Sequence, residues 1–450
     1  MPGGNLGPGV VVEVGTAFAG VQVVDPESRR LRAGAGAIAS EVDRVARAQG
    51  GFLPFLPSSA RSCRVGGMIA NNSAGARSFR YGSIASWVEA LEGFYPWGER
   101  FRVEVGGEPP SRFAALRSSL LAKLGTSPDG VPSGWPQVRK NSSGYALDRF
   151  LPGGEPTALL VGSEGTLAVI TRAELRYAPL PADRGWIVLR LDSADALAEL
   201  ALESARLEAT ACEFLGRRFL ELIGPGLDSP FRALASGAFA LALIELTGSA
   251  SEVDEGLSHL SLFSPVRSPP LVIRDADVGR RVWAIRDAAS PIIARESASG
   301  RISTQFIEDC VVPPARLAEY LVGLDRILIG LGLDAVVFGH AGDANVHVNP
   351  LIDVNDSGWR HRVRQALDEV TELVAGLGGT LSGEHGDGRL RAPLLDRIWP
   401  TALAQGFREV KEAFDPDRLL NPGVVVPLPG QDPLEDFLPR PGTHPDSVPP

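Results

Sequence analysis

Two glycine-rich segments of the sequence carry histidines at spacings that suit metal binding. In residues 338–349, His340 and His347 flank a turn containing Gly and Asp between two strand-like runs. Because side chains alternate across a strand, His347 and Asn349 share one face of the exit strand, and His340 can point to the same side. A lone histidine is more often a structural core residue, but two imidazoles held in this way form half of a metal site.

The second segment, residues 378–388, places an acid and an imidazole between glycines. Glu384 would join His340 and His347 in a His/His/carboxylate set with open positions for a substrate. That ligand set suits zinc first, with manganese or iron as alternatives. His385 lies on the other side of the chain and is left free to act as a base. The alternative is a loop with a solvated acidic pair.

Two further runs of small residues could bring backbone N–H groups close to a ligand. Ser58 precedes residues 65–77, which contain Gly66, Gly67 and Gly75. Residues 162–171 are similar, with closely spaced glycines followed by a strand-like run. Glycine lacks a Cβ and so permits close approach. Together the runs suggest a large flat ligand that is contacted by the protein backbone from both sides. Each run alone is consistent with a small-residue turn. Neither run is the G-x-G-x-x-G pattern of a Rossmann site.

Composition limits the partners. The 450-residue chain has a formal net charge of -10, which disfavours nucleic acid, so anionic substrates would need local Arg residues or a metal. Its three cysteines are too few for an all-cysteine iron–sulfur cluster and favour a cytosolic compartment over a disulfide framework. We find no transmembrane segment or signal peptide in the pattern. We therefore expect a cytoplasmic protein, at most peripherally attached to a membrane.

The length predicts two or three domains. Short strands and glycine-rich turns extend to about residue 180, with a helix near 40–49. From Trp186, strands alternate with helices in an order that predicts an antiparallel sheet with helices on one face, an α+β arrangement. Helices are expected near 193–208, 251–262, 277–296, 314–331, 357–377 and 401–413.

These residues together resemble the FAD-linked oxidase family of D-2-hydroxyacid dehydrogenases, within the flavoproteins of the vanillyl-alcohol-oxidase type. The D-lactate, glycolate and D-2-hydroxyglutarate dehydrogenases belong to this family. The similarity runs from about residue 9 to residue 426. It rests on residues 66–72, Tyr81-Gly82, Arg139-Lys140-Asn141, Gly144-Tyr145, residues 162–166, 283–286, 307–309, Val312-Pro313, both histidine segments, residues 414–416 and residues 420–423.

The resemblance implies an α+β fold in four parts. Residues 1–180 would form an FAD-binding domain that lacks the first subdomain and most of the pyrophosphate loop. Residues 181–400 would form a ferredoxin-like antiparallel substrate or cap domain with the metal site. Residues 401–426 would return to the flavin, and residues 427–450 would be a disordered Pro-rich tail.

The resemblance also implies roles for individual residues. His340, His347 and Glu384 match the metal ligands, and His385 matches the catalytic base. Arg286 matches an arginine that clamps the substrate carboxylate with its planar guanidinium. Residues that match FAD contacts are Ser58, Gly66, Gly67, Asn72, Gly75, Glu164, Gly165, Ile170 and Asn421. One departure is Ala344, which stands where the family usually has glycine.

The implied reaction is FAD-dependent oxidation of a small D-2-hydroxy acid to the 2-oxo acid, with hydride transfer to flavin and a divalent metal polarising the substrate. The electrons would pass to an iron–sulfur, quinone or cytochrome partner. One alternative is a non-catalytic flavoprotein subunit or truncated remnant that does not bind FAD by itself. A zinc hydrolase is a weaker alternative because the sequence has no H-E-x-x-H helix.

Overall fold

The computed structural model describes residues 9–435, apart from residues 228, 264–267, 290–292, 294–299 and 304. Its strands form two large antiparallel sheets and one short pair. This arrangement confirms the expected α+β fold class with antiparallel sheets.

The first sheet has five strands in the order β1-β2-β6-β4-β5. Strands β3 and β7 pair separately. These strands are β1 (Val21–Asp25), β2 (Arg30–Gly34), β3 (Gly51–Phe52), β4 (Val88–Phe94), β5 (Arg100–Glu104), β6 (Val169–Arg176) and β7 (Ala178–Pro179).

The second sheet has eight strands, in the order β11-β8-β10-β9-β14-β15-β12, with β13 also paired to β15. Its strands are β8 (Asp183–Leu191), β9 (Ala211–Gly216), β10 (Ala240–Gly248), β11 (Leu271–Ile273), β12 (Arg301–Ser303), β13 (Cys310–Val311), β14 (Asp334–His340) and β15 (Asn345–Asp353). Every pairing is antiparallel.

The α-helices surround these sheets. They are α1 (Ala39–Ala48), α2 (Val65–Ala70), α3 (Ser78–Tyr81), α4 (Ser111–Lys123), α5 (Leu147–Gly153), α6 (Pro156–Leu160), α7 (Ala194–Arg206), α8 (Arg217–Ile223), α9 (Ser229–Ala235), α10 (Ala250–Ser261), α11 (Ala276–Asp287), α12 (Leu317–Gly330), α13 (Trp359–Gly376), α14 (Gly388–Arg391), α15 (Leu395–Ile398) and α16 (Thr401–Phe414). Ser193 and Ser249 cap α7 and α10 by accepting a backbone N–H three residues on.

The second sheet is covered on both faces, whereas we expected helices on one face. Helices α7, α10, α12 and α13 pack in one core cluster, which contains Leu197, Leu257 and Val370. Helices α8, α9 and α11 pack on the other face, in a cluster that contains Phe219 and Val282. The sequence did not predict this second layer, because α8 and α9 are too short to show a helical repeat.

The C-terminal segment returns to the first half of the chain. Phe407 and Phe414 of α16 are buried in the same core cluster as Phe113 and Phe150. Residues 427–435, expected to be part of a disordered tail, are instead held in place. Gln431 donates hydrogen bonds to the carbonyls of Arg389 and Gly423 and so fixes this stretch. Residues 436–450 lie outside the described residues.

Candidate active site

The hairpin of β14 and β15 positions the two histidines. Phe338 faces His347 across the strand pair, and His340 faces Asn345. A short 3-10 turn (Ala341–Asp343) closes the hairpin, and Ala344 follows it in the left-handed conformation with φ 52°. Glycine adopts this conformation without a steric penalty. That is a physical reason for the glycine that the family usually has where this chain has Ala344.

The predicted metal triad comes together. His340 Nε2 and His347 Nε2 each lie 3.3 Å from Glu384 Oε1, and all three side chains are buried. His340 Nδ1 donates to Glu213 Oε1 at 2.6 Å, and His347 Nδ1 donates to the carbonyl of Glu308 at 3.2 Å. Both Nε2 atoms are therefore left to face the carboxylate, which is the arrangement that metal-binding histidines adopt. The donor set fits a divalent metal.

Backbone and side-chain contacts fix the loop that carries Glu384. Asp309 Oδ2 accepts hydrogen bonds from the backbone N–H groups of Glu384 and His385 at 3.0 and 2.8 Å. Lys140 Nζ lies 3.1 Å from Glu384 Oε2 and 3.3 Å from Asp343. With Oε2 occupied by Lys140, Oε1 is the oxygen available to the two histidines.

His385 is held on one side and available on the other. Its Nδ1 donates to Glu308 Oε1 at 2.7 Å, so one of the two ring nitrogens is engaged. Burial acts to lower the pKa of His385, but the charges of Glu308 and Asp309 outweigh it and raise that pKa. Burial likewise opposes the hydrogen bonds from His347 to Glu308 and Glu384, which raise the pKa of His347 to about 10. His385 Nε2 makes no direct hydrogen bond to the described residues and lies 3.6 Å from Glu384 Oε1.

Arg286 sits beside the triad, in the last turn of α11. Its Nε donates to Glu213 Oε2 at 2.7 Å, and one terminal nitrogen lies 3.4 Å from His340 Nε2. Burial acts to raise the pKa of Glu213, but the charges of His340 and Arg286 outweigh it and lower that pKa to about 2. The guanidinium is thus a buried, oriented cation at the edge of the metal triad.

A cavity of about 410 Å³ joins these groups to the glycine-rich segment. Its lining includes Arg286, His340, His347, Glu384 and His385. Ser58, Gly67 and Gly75 line the same cavity. A Cβ added at Gly67 would meet no protein atom within 4 Å, so this backbone is open to a ligand.

Only some of the predicted FAD contacts reach a cavity. Asn72 lines a second cavity of about 490 Å³, but its side chain accepts a hydrogen bond from Ser83 and donates one to the carbonyl of Asn141. Its amide therefore fixes local structure, and its backbone N–H donates to the carbonyl of Ile69 at 3.2 Å. The predicted contacts that line neither cavity are Gly66, Glu164, Gly165, Ile170 and Asn421.

Glu164 and Asn421 instead join chain segments. The Glu164 carboxylate accepts the backbone N–H groups of Asp387 and Gly388, and Asn421 donates to the Glu164 carbonyl at 2.7 Å. Gly66 packs against Ala35, where an added Cβ would lie 2.9 Å from the alanine Cβ. These contacts hold the glycine-rich runs in register with the loop that carries Glu384 and His385.

Sequence reasoning gave no role to Glu213, Glu308 or Lys140. Glu308 and Lys140 lie in the motifs that carried the family resemblance, but nothing in their spacing pointed to the metal triad. Glu213 had a weak signal, because it is the single charged residue in the apolar strand β9. A buried carboxylate in such a strand requires a partner, although the sequence does not say which one.

Two families match the chain. The one described as "FAD linked oxidases, C-terminal domain" matches residues 180–425, and the one described as "FAD binding domain" matches residues 1–104. The chain belongs to the FAD-linked oxidase family. This FAD-linked oxidase is therefore an oxidoreductase whose N-terminal part is an FAD-binding domain.

Curated relatives of this FAD-linked oxidase span most of its length. It is 29% identical over 408 residues to the D-lactate dehydrogenase of Archaeoglobus fulgidus, covering 90% of this chain and 78% of that protein. It is 28% identical over 405 residues to the glycolate oxidase subunit GlcD of Bacillus subtilis, covering 89% and 76%.

Solved structures share the fold. p-Cresol methylhydroxylase with substrate bound matches with a TM-score of 0.64 at 14% identity, covering 91% of this chain and 78% of that one. At this identity the likeness shows the fold alone. Among the described residues, no helix has both the length and the apolar character needed to cross a membrane.

Proposed function

We propose that this FAD-linked oxidase oxidises a small D-2-hydroxy acid of the D-lactate, glycolate or D-2-hydroxyglutarate type to the corresponding 2-oxo acid. One observation carries the proposal: a metal-type triad, a buried arginine and a histidine with one available nitrogen line the same cavity. The names of the relatives, a D-lactate dehydrogenase and a glycolate oxidase subunit, support this substrate class.

His340, His347 and Glu384 would hold the metal, zinc first, with manganese or iron as alternatives. The glycine-rich segment near Ser58 and Gly67 would contact the flavin. When bound, FAD supplies the acceptor of two electrons, and the metal supplies a Lewis acid that makes a hydroxyl proton easier to remove.

Arg286 would bind the substrate carboxylate. A guanidinium can donate two parallel hydrogen bonds to one carboxylate, and this geometry fixes the direction of the rest of the molecule. The Nε atom of Arg286 is already bonded to Glu213 and one terminal nitrogen lies 3.4 Å from His340 Nε2, so the substrate would bind through the terminal nitrogens beside His340. Because Arg286 and His340 are neighbours, a short 2-hydroxy acid can reach both the arginine and the metal triad.

His385 would remove the hydroxyl proton through Nε2. Glu308 accepts the hydrogen bond from Nδ1, which fixes the tautomer with a basic Nε2. Arg391 donates to the same Glu308 oxygen at 3.0 Å and holds the carboxylate in place. A positioned general base of this kind contributes roughly 10²–10⁴-fold to the rate.

The electrons would leave to an iron–sulfur, quinone or cytochrome partner. The chain's own three cysteines do not suffice for an all-cysteine cluster. A stand-in dye acceptor can replace this partner in an assay, which separates the oxidation of the hydroxy acid from the identity of the acceptor.

The test starts from the purified full chain reconstituted with FAD and zinc. The flavin absorption band should remain after gel filtration, and D-lactate, glycolate or D-2-hydroxyglutarate should reduce the dye, whereas L-lactate should not. Chelation should abolish turnover, and zinc should restore it. Retained flavin without turnover on any D-2-hydroxy acid would overturn the substrate class. Loss of the flavin would favour the non-catalytic alternative.

A further inference from the structure

Glu213 occupies an unusual place in the second sheet. It is fully buried on β9, in a strand whose other residues are apolar or glycine. The pairing of Phe338 with Leu215 and of Gly339 with Phe214 puts His340 directly across from Glu213. On the other side, α11 brings Arg286 to the same carboxylate.

Each oxygen of this carboxylate has a separate partner. Oε1 accepts from His340 Nδ1 at 2.6 Å, and Oε2 accepts from Arg286 Nε at 2.7 Å. We propose that Glu213 is a positioning residue that couples the metal ligand His340 to the anion clamp Arg286. This inference rests on the proposed function, which gives His340 and Arg286 those two roles.

The hydrogen-bonding capacities of the three groups explain the coupling. An ionised carboxylate only accepts, so His340 must carry its proton on Nδ1 and present the Nε2 lone pair to the metal. The same carboxylate fixes Arg286 through Nε, so that its terminal nitrogens lie beside His340, one of them 3.4 Å from His340 Nε2. One rigid group therefore sets the distance between the metal ligand and the arginine.

A shared anchor also has a functional consequence. The carboxylate and hydroxyl of a 2-hydroxy acid are on adjacent carbons, so the groups that bind them must keep a fixed separation. Productive geometry tolerates only small errors in such positions. If Glu213 sets that separation, its loss should weaken both metal binding and substrate binding, although it touches neither.

Glu213→Gln tests the coupling, because a glutamine amide cannot accept from both partners: one of its two groups is a donor and faces a donor. Removal of such an outer partner typically costs about 10–100-fold in metal affinity. We expect the zinc Kd, measured by chelator competition, to rise by about that factor. KM for the hydroxy acid should rise as well when zinc is saturating.

Glu245→Gln is the matched control. Glu245 is also fully buried, on the adjacent strand β10, but it pairs with Arg77 through two bonds of 2.9 Å. The control removes the same charge from the same sheet, so it should lower thermal stability and leave the zinc Kd unchanged. A comparable loss of zinc affinity in both variants would indicate a general structural effect and overturn the proposal.

Glu213→Asp covers the case in which the glutamine variant does not fold. It keeps the charge but is one methylene shorter, so it cannot reach both partners. Either the zinc affinity should fall or KM should rise. A folded Glu213→Asp or Glu213→Gln protein with wild-type zinc Kd and KM would overturn the coupling alone. A wild-type protein that binds no zinc would instead overturn the metal assignment of the proposed function.

Discussion

The carboxylate of Glu164 accepts the backbone N–H of Asp387 at 2.6 Å, although the two residues are 223 positions apart. A second bond of 3.0 Å joins Glu164 to the N–H of Gly388. Glu164 lies in one of the glycine-rich runs, and Asp387 directly follows the loop that carries Glu384 and His385. This bond therefore ties that glycine-rich run to the loop that carries Glu384 and His385.

Gly386→Ala should disturb this junction. Gly386 has φ +82°, and an added Cβ would lie 2.6 Å from the Glu164 carboxylate carbon. We expect a loss of several-fold in zinc affinity and in kcat, together with a stability loss larger than the roughly 1–2 kcal/mol of left-handed strain alone.

Gly378→Ala is the control for Gly386→Ala. Gly378 has φ +72°, but an added Cβ would meet nothing within 4 Å. It should show only the strain cost in thermal unfolding and should keep its zinc affinity. Equal effects of the two alanines on zinc binding would contradict the role of the Glu164 contact.

Stability should fall as pH rises through the range in which Glu164 ionises. Burial and the nearby Asp387 carboxylate raise the pKa of Glu164 above its ordinary value. A raised folded-state pKa contributes stability that is complete below the unfolded-state pKa and is lost as pH rises through the folded value. Between pH 5 and 9, wild type should lose roughly 1–3 kcal/mol relative to Glu164→Gln.

Urea unfolding at several pH values measures this effect. Glutamine cannot replace one of the hydrogen bonds of Glu164, which lowers the free energy of unfolding by an amount that does not depend on pH. The two proteins are therefore compared by the slope of the free energy of unfolding against pH. Parallel stability curves for wild type and Glu164→Gln would show that Glu164 is not the titrating group.

His385→Ala should lower kcat by roughly 10²–10⁴-fold, because it removes the proposed general base. Zinc content and flavin absorption should be retained, since the triad and the glycine-rich segment do not depend on this side chain. His361→Ala is the control, because His361 is exposed on α13, away from the cavity. Near-normal turnover of the His385→Ala protein would remove the base assignment.

His347→Ala should abolish stoichiometric zinc binding. It removes one of the three proposed ligands, so the loss of affinity should exceed the roughly 10–100-fold that is typical of outer partners. Metal analysis after gel filtration gives the zinc content, and the visible spectrum reports the flavin. Full zinc occupancy in this variant would exclude the His/His/Glu site, and loss of flavin alone would point to a different role for His347.

Glu308→Gln should lower the stability of the folded protein and also lower kcat. Arg391 is almost completely buried and loses the nearer of its two charged partners, leaving Asp309 at 3.9 Å, and breaking a buried ion pair costs about 3–5 kcal/mol. Glu319→Gln is the control: its pair with Arg316 is exposed, and such pairs contribute about 0–1 kcal/mol. Chemical unfolding should separate the two variants, and similar small losses would show that Glu308 is not an important partner of Arg391.

The sequence by itself predicted the α+β fold class and singled out His340, His347 and Glu384, which the structure brings together. Alternation in β15 placed His347 and Asn349 on one face, and the helical repeats located α7, α10, α12 and α13 within a few residues. These features depend on local periodicity, which is legible in one sequence because the hydrophobic effect acts on every turn and strand.

Only the tertiary structure decided which groups complete the site. Glu213, Glu308 and Lys140 reach the triad from β9, the segment before β13 and the segment before α5. Glu164 and Asn421 face the protein rather than either cavity, and the side chain of Asn72 is bonded to Ser83 and Asn141. Such contacts follow from the packing of distant segments, where a buried charge takes whichever partner the fold brings within hydrogen-bonding distance. The separation of two residues along the chain does not predict the distance between them in the folded protein.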